Sequence, residues 1–126
     1  LNLGHTIAHA FESLAMERKS PVSHGYAVAF GMVAALVLSR MKFNFPSDDL
    51  HRYAAYVAEH YGAFAITCDD YPALLRFMHH DKKNDTADEI SCTLLRDIGK
   101  VEVAVPVSDA DMTAALDIYR DLLHLP

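Results

Sequence analysis

Leu1-Asn2-Leu3-Gly4-His5-Thr6-Ile7-Ala8-His9-Ala10-Phe11-Glu12, followed after a polar loop by Ser23-His24-Gly25, is the stretch on which the fold and the chemistry both turn. Ile7, Ala10, Phe11 and Leu14 fall at i, i+3, i+4 and i+7, the spacing of an amphipathic helix. The pattern predicts a helix over residues 4–17. Arg18-Lys19-Ser20-Pro21 ends it, with cations in the last turn and a proline beyond. Three histidines and an asparagine are set into sequence that otherwise reads as buried helix.

His5 and His9 stand four residues apart, so they share one face of that helix. Glu12 follows at i+7 on nearly the same face. His24 opens the next predicted helix, and a helix, a reversal and a second helix would return it to the first turn. Two histidines, a carboxylate and an open position suit a catalytic zinc ion. Glu12 could be that carboxylate, but it lies two turns from His5. It could equally hold the second nitrogen of a histidine that is itself a ligand. Histidine pairs on helices are also common as ordinary surface or core residues, so spacing alone leaves all three readings open.

Outward from this stretch, Ser23 is a natural N-cap for a helix over residues 24–42. Ala27, Val28, Phe30, Met32, Val33, Leu36, Val37 and Leu38 make it apolar almost all round, which predicts a central helix packed on several sides. Gly25 and Gly31 cost it about 1 kcal/mol each against alanine and allow another backbone to come close. A third helix over residues 47–61 buries Leu50, Tyr53, Ala54, Val57 and Ala58, and Gly62 stops it. Asp69 or Asp70 is expected to cap a fourth, running to residue 80 with Pro72 in its first turn. Its inner side chains are Leu74, Leu75, Phe77 and Met78.

Asp81-Lys82-Lys83-Asn84 then opens a charged loop, either a solvated run or an ammonium group waiting for an anion such as phosphate. Residues 90–95 and 101–105 are rich in β-branched side chains around Asp97-Ile98-Gly99-Lys100 and predict a small hairpin. Ser108 and Asp109 cap a last helix to about residue 123, with Met112, Ala115, Leu116 and Tyr119 inward. The expected fold is mainly α, a multi-helix single domain over residues 1–126 with a small β hairpin.

Composition bounds the rest. The 126 residues are 52% hydrophobic with five glycines and five prolines, as in a folded domain with one core. A formal charge of −6 offers no basic face to nucleic acid and would repel anionic lipid. The apolar run 27–38 is shorter than the roughly 20 residues of a membrane span, so no membrane partner is expected. Cys68 and Cys92 are too few for a disulfide framework and read as buried free thiols, with the cytoplasm as default compartment. The first residue is not methionine and nothing caps the first helix, which leads to the expectation of a piece of a larger protein.

The opening stretch resembles the L-N-x-G-H-T-x-G-H-A-x-E signature of the 3-dehydroquinate synthase family. His24-Gly25-Tyr26-Ala27-Val28-Ala29-Phe30-Gly31-Met32 resembles its H-G-E-A-V-A-x-G-M segment. Asp81-Lys82-Lys83-Asn84, residues 91–96 and Ile98-Gly99-Lys100 follow in the family's order, so the resemblance spans essentially the whole chain. It implies the C-terminal metal- and substrate-binding domain of the dehydroquinate synthase-like fold, without the N-terminal NAD-binding domain. Indeed no Gly-rich dinucleotide fingerprint is present.

The resemblance further implies His5 and His24 as ligands of Zn2+ or Co2+, with a third, a glutamate, on the missing part. It marks His9, Lys82 and Lys83 as catalytic, and Asn2, His5, His9, His24, Lys82 and Lys83 as facing substrate, without deciding between the lysines. NAD+ would be bound by the N-terminal domain of the same protein, in a homodimer. The implied reaction converts the sugar phosphate 3-deoxy-D-arabino-heptulosonate 7-phosphate to 3-dehydroquinate and phosphate, a step of the shikimate pathway. The isolated chain is expected to be inactive.

Two positions depart from the family pattern: Ala8 stands for a glycine, and Tyr26 for the glutamate after His24-Gly25. The loop before His24 is also longer. These leave room for another sugar-phosphate cyclase or polyol dehydrogenase of the same superfamily. In a different class altogether, the chain would be a helical interaction module with structural histidines.

Overall fold

A computed structural model describes residues 3–80 and 89–126. The elements run α1 (His5–Glu17), α2 (His24–Phe43), α3 (Ser47–His60), a 3-10 turn (Cys68–Asp70), α4 (Tyr71–His80), β1 (Glu89–Asp97), β2 (Lys100–Ser108) and α5 (Asp109–Leu122). This is the mainly helical domain with one hairpin that the sequence pattern predicts.

α2 is the centre. It packs against α1, α3, α5 and β1. By length and composition alone it could cross a membrane, yet most of it is covered by the other elements of the domain. Its capping follows local chemistry. The Ser23 hydroxyl accepts the Tyr26 N–H at its start, and Asn44 ends it in the left-handed region at φ 60°. α1, α3 and α5 are amphipathic and turn their apolar stripes toward α2. Ile7, Ala10 and Phe11 of α1 and Met112, Ala115, Leu116 and Tyr119 of α5 are all essentially inaccessible. The rings of Phe11, Phe64 and Tyr119 close the space between them, at 4.9 Å for Phe11–Phe64 and 5.5 Å for Phe11–Tyr119. The Tyr119 hydroxyl donates to the Phe64 carbonyl at 2.9 Å, so its burial leaves no unpaired donor.

Backbone proximity is greatest where α1 starts. Gly4 sits at φ 76°, and a Cβ built there would lie 2.9 Å from the Met32 nitrogen. A Cβ on Gly31 would lie 2.6 Å from the Gly4 carbonyl oxygen and 2.9 Å from the Ala8 nitrogen. Gly31 thus fulfils the expected close approach. Gly25 does not, since no described atom lies within 4 Å of where its Cβ would be. Ala8 is fully buried at this crossing, so the methyl it adds relative to the family pattern is spent on helix packing.

The hairpin lies against α2 on one face only. Ile90, Cys92 and Leu94 alternate inward along β1, the period of a half-buried strand. β2 pairs antiparallel outside it, with register shifts between Cys92 and Leu94 and between Leu95 and Asp97. Ser39, fully buried, pins the sheet to α2. Its hydroxyl donates to the Ala35 carbonyl at 2.8 Å and accepts the Leu95 N–H at 2.9 Å.

Two expectations need correcting. The cap before α4 is Thr67, not Asp69 or Asp70. Thr67 accepts the Asp69 N–H while the Asp70 carboxylate accepts the Thr67 N–H, a reciprocal pair that closes a 3-10 turn ahead of the helix. Cys68 occupies that turn and is exposed, whereas Cys92 is buried as expected. The charged run that contains Lys82 and Lys83 lies outside the described residues.

Candidate functional site

α1 and α2 form an antiparallel pair. Gly4 and Ala8 meet Gly31, while Glu12, later on α1, meets His24, earlier on α2. The six-residue connection returns α2 along α1. One consequence is that His5, His9 and His24 come together. Ring centroids lie 5.7 Å apart for His5–His24, 5.8 Å for His5–His9 and 6.2 Å for His9–His24. The clustering of three histidines drawn from two helices is what the sequence spacing anticipates.

Their surroundings differ. His5 is half-buried at the foot of the crossing, and its Nδ1 is buried with no hydrogen-bond partner among the described residues. An orphaned buried ring nitrogen marks a place where a partner is owed. His9 is exposed one turn further along. His24 is exposed at the start of α2, and its Nδ1 lies 3.1 Å from Glu12 Oε2. The contact is one in which an Nδ1–H can donate to the carboxylate oxygen, leaving Nε2 on the far side of the ring. Glu12 thus lies against a ring nitrogen of His24, the placement that the second of its two readings calls for.

The donor set can be tested against a metal. Two imidazoles bound tetrahedrally to one zinc ion, each about 2.0–2.1 Å from it, have ring centroids roughly 5 Å apart. The His5–His24 separation of 5.7 Å is close to that, and the orphaned nitrogen and the carboxylate-held imidazole are both features of ligand histidines. The described residues contribute two such donors and no three-ligand group of His, Cys, Asp and Glu. The fit is to part of a metal centre. Asn2, Lys82 and Lys83 lie outside the described residues.

Tyr26, the departure after His24-Gly25, does not turn toward the histidines. Its ring makes an edge contact with Tyr61 at 5.0 Å and with Phe30 at 6.3 Å, on the rim of a cavity of about 310 Å³. Arg18 lines the other side, donating to the Ala65 carbonyl and pairing with Asp70 at 2.8 Å, its guanidinium over the Phe64 ring. Sequence reasoning missed Arg18 as a clamp between the end of α1 and the loop before α4. Its charge near a helix end was visible, but its partners are 47 and 52 residues away.

Comparison with known proteins places these residues in a family context. A family model described as 3-dehydroquinate synthase C-terminal matches residues 1–84. A 3-dehydroquinate synthase of Parabacteroides distasonis is 42% identical over 121 residues, covering 96% of this chain and 34% of the relative. One from Clostridium tetani is 33% identical over 117 residues, covering 93% and 30%. Among solved structures, 2-deoxy-scyllo-inosose synthase complexed with carbaglucose-6-phosphate, NAD+ and Co2+ superposes with a TM-score of 0.70 at 24% identity. That match covers 95% of this chain and 34% of the other. At that identity the likeness speaks for the fold. The chain spans about a third of the length of these relatives.

Proposed function

This chain belongs to the 3-dehydroquinate synthase C-terminal family, and we propose that it is the metal- and substrate-binding part of a 3-dehydroquinate synthase. The full protein would convert 3-deoxy-D-arabino-heptulosonate 7-phosphate to 3-dehydroquinate and phosphate, as a cytoplasmic homodimer whose N-terminal domain binds NAD+. The observation that carries this reading is the convergence of His5, His9 and His24, with Glu12 on the outer nitrogen of His24.

In this reading His5 and His24 hold a Zn2+ or Co2+ ion, and a glutamate from the rest of the protein completes the set. When bound, the metal supplies Lewis acidity toward substrate oxygens and NAD+ supplies reversible hydride transfer. The work of this chain is positional. The rigid α1–α2 crossing fixes the distance between the two ligand histidines. His9, exposed one turn from His5, hydrogen-bonds the phosphate end of the substrate, joined by Asn2 and by the ammonium of Lys82 or Lys83. Holding the phosphate in one place orients the leaving group for elimination.

The test uses the full-length protein. His5→Ala and His24→Ala should each weaken Zn2+ binding by more than about tenfold, while His9→Ala should retain the metal and lose turnover. Native zinc affinity in both ligand variants would leave the histidines structural. A second reading rests on Tyr26, which occupies the family's glutamate position and faces Tyr61 instead of the histidines. Another sugar-phosphate cyclase of the same scaffold would prefer sedoheptulose 7-phosphate to the heptulosonate phosphate, and a side-by-side assay separates the two.

A further inference from the structure

A metal-binding histidine must present one nitrogen as a lone pair, and a neutral imidazole can carry its proton on either. Something has to choose. In many metal sites a carboxylate does so by accepting the N–H of the nitrogen that does not ligate. Two positions in this chain could supply that acceptor for His24: Tyr26, where the family has a carboxylate two residues on, and Glu12 on the neighbouring helix.

The geometry separates them. The Tyr26 ring is engaged with Tyr61 and Phe30, away from the histidines. Glu12 Oε2 is 3.1 Å from His24 Nδ1. Glu12 is also well anchored, because Phe11 beside it and Ala8 and Ala15 on the same helix are completely buried. The carboxylate thus sits on a rigid element, whereas position 26 is in the exposed first turn of α2.

We propose that Glu12 is the positioning residue for His24, fixing it in the Nδ1–H tautomer so that Nε2 is the metal-facing nitrogen, and that Tyr26 has no part in this. The inference rests on the metal reading above. It assigns the orienting carboxylate to α1, so that one helix carries a ligand, His5, and the group that orients the other ligand, His24. It also accounts for the tolerance of a tyrosine at position 26.

The experiment uses the full-length protein with Zn2+ as the probe, its affinity read by competition with a chromogenic chelator. Alongside it, the His24 tautomer is read by 15N NMR of the metal-free, 15N-histidine-labelled protein. Glu12→Ala should weaken Zn2+ binding by about 10- to 100-fold and shift His24 away from the Nδ1–H form. Glu12→Gln, whose amide oxygen still accepts, should recover part of the affinity. Tyr26→Phe should stay within about twofold of wild type.

Native affinity and an unchanged tautomer in Glu12→Ala would overturn the proposal, as would a loss confined to Tyr26→Phe. A fall in melting temperature in Glu12→Ala without a change in zinc affinity would also overturn it, leaving the contact merely structural. His24→Ala keeps the two readings apart. If it loses zinc while Glu12→Ala does not, only the positioning role fails. If it binds zinc normally, the metal reading itself fails.

Discussion

The α1–α2 crossing and the β1–β2 hairpin are built to opposite tolerances. At the crossing, backbone meets backbone: Gly31 faces the Gly4 carbonyl and Ala8, with no side chain between that could yield. On the outer strand of the hairpin, Val103 is 71% exposed, and Glu102 pairs at 2.8 Å with Arg96 of β1 at the surface. One region is specified by steric exclusion and the other by burial of a single face. The difference bears on function, because His5 follows Gly4 directly and His24 lies two turns before Gly31. Any change in the helix separation becomes a change in the spacing of the histidines.

Three substitutions would break or sharpen this contrast. The largest effect is expected for Gly31→Ala. Its methyl would sit 2.6 Å from a carbonyl oxygen that belongs to the opposing backbone, so the helices must part. A loss of about 3 kcal/mol or more is expected in urea unfolding followed by circular dichroism. A loss below that of an ordinary surface substitution would show the crossing to be softer than its geometry implies.

Next comes Ser39→Ala, which tests the join between the two regions. Removing the hydroxyl strands the Leu95 N–H at the edge of the core, at a cost of about 1–3 kcal/mol in the same measurement. Amide exchange at Leu95 should accelerate in parallel. The smallest effect is expected for Val103→Thr on the exposed face of β2, within about 0.5 kcal/mol of wild type. A larger loss would mean that this face is covered in the folded protein.

What could be read in the sequence divides along physical lines. Ser23, Gly62 and Ser108 mark helix ends correctly because capping is local, settled by residues within one turn. The apolar stripes of α1 and α5 are equally legible, since burial repeats with the helical period. The clustering of His5, His9 and His24 follows from two helices and a short reversal. Harder to see was which nitrogen of His24 is engaged and by whom, because spacing gives faces and not ring orientations. Thr67 was passed over for the acidic residues after it, since a 3-10 turn moves the cap back without changing the composition. Gly4 gave no warning that its missing side chain was needed by Met32, a contact 28 positions away.

The covering of α2 has a consequence during synthesis. Of the described elements that pack on this helix, α1 is made before it, while α3, β1 and α5 are still to come. About 80 residues separate the end of α2 from the end of α5, which take on the order of 4–16 seconds to translate. Through that interval a 20-residue apolar segment stands partly bare. The nascent chain is therefore a natural client for chaperones that hold exposed hydrophobic sequence until the last helix arrives.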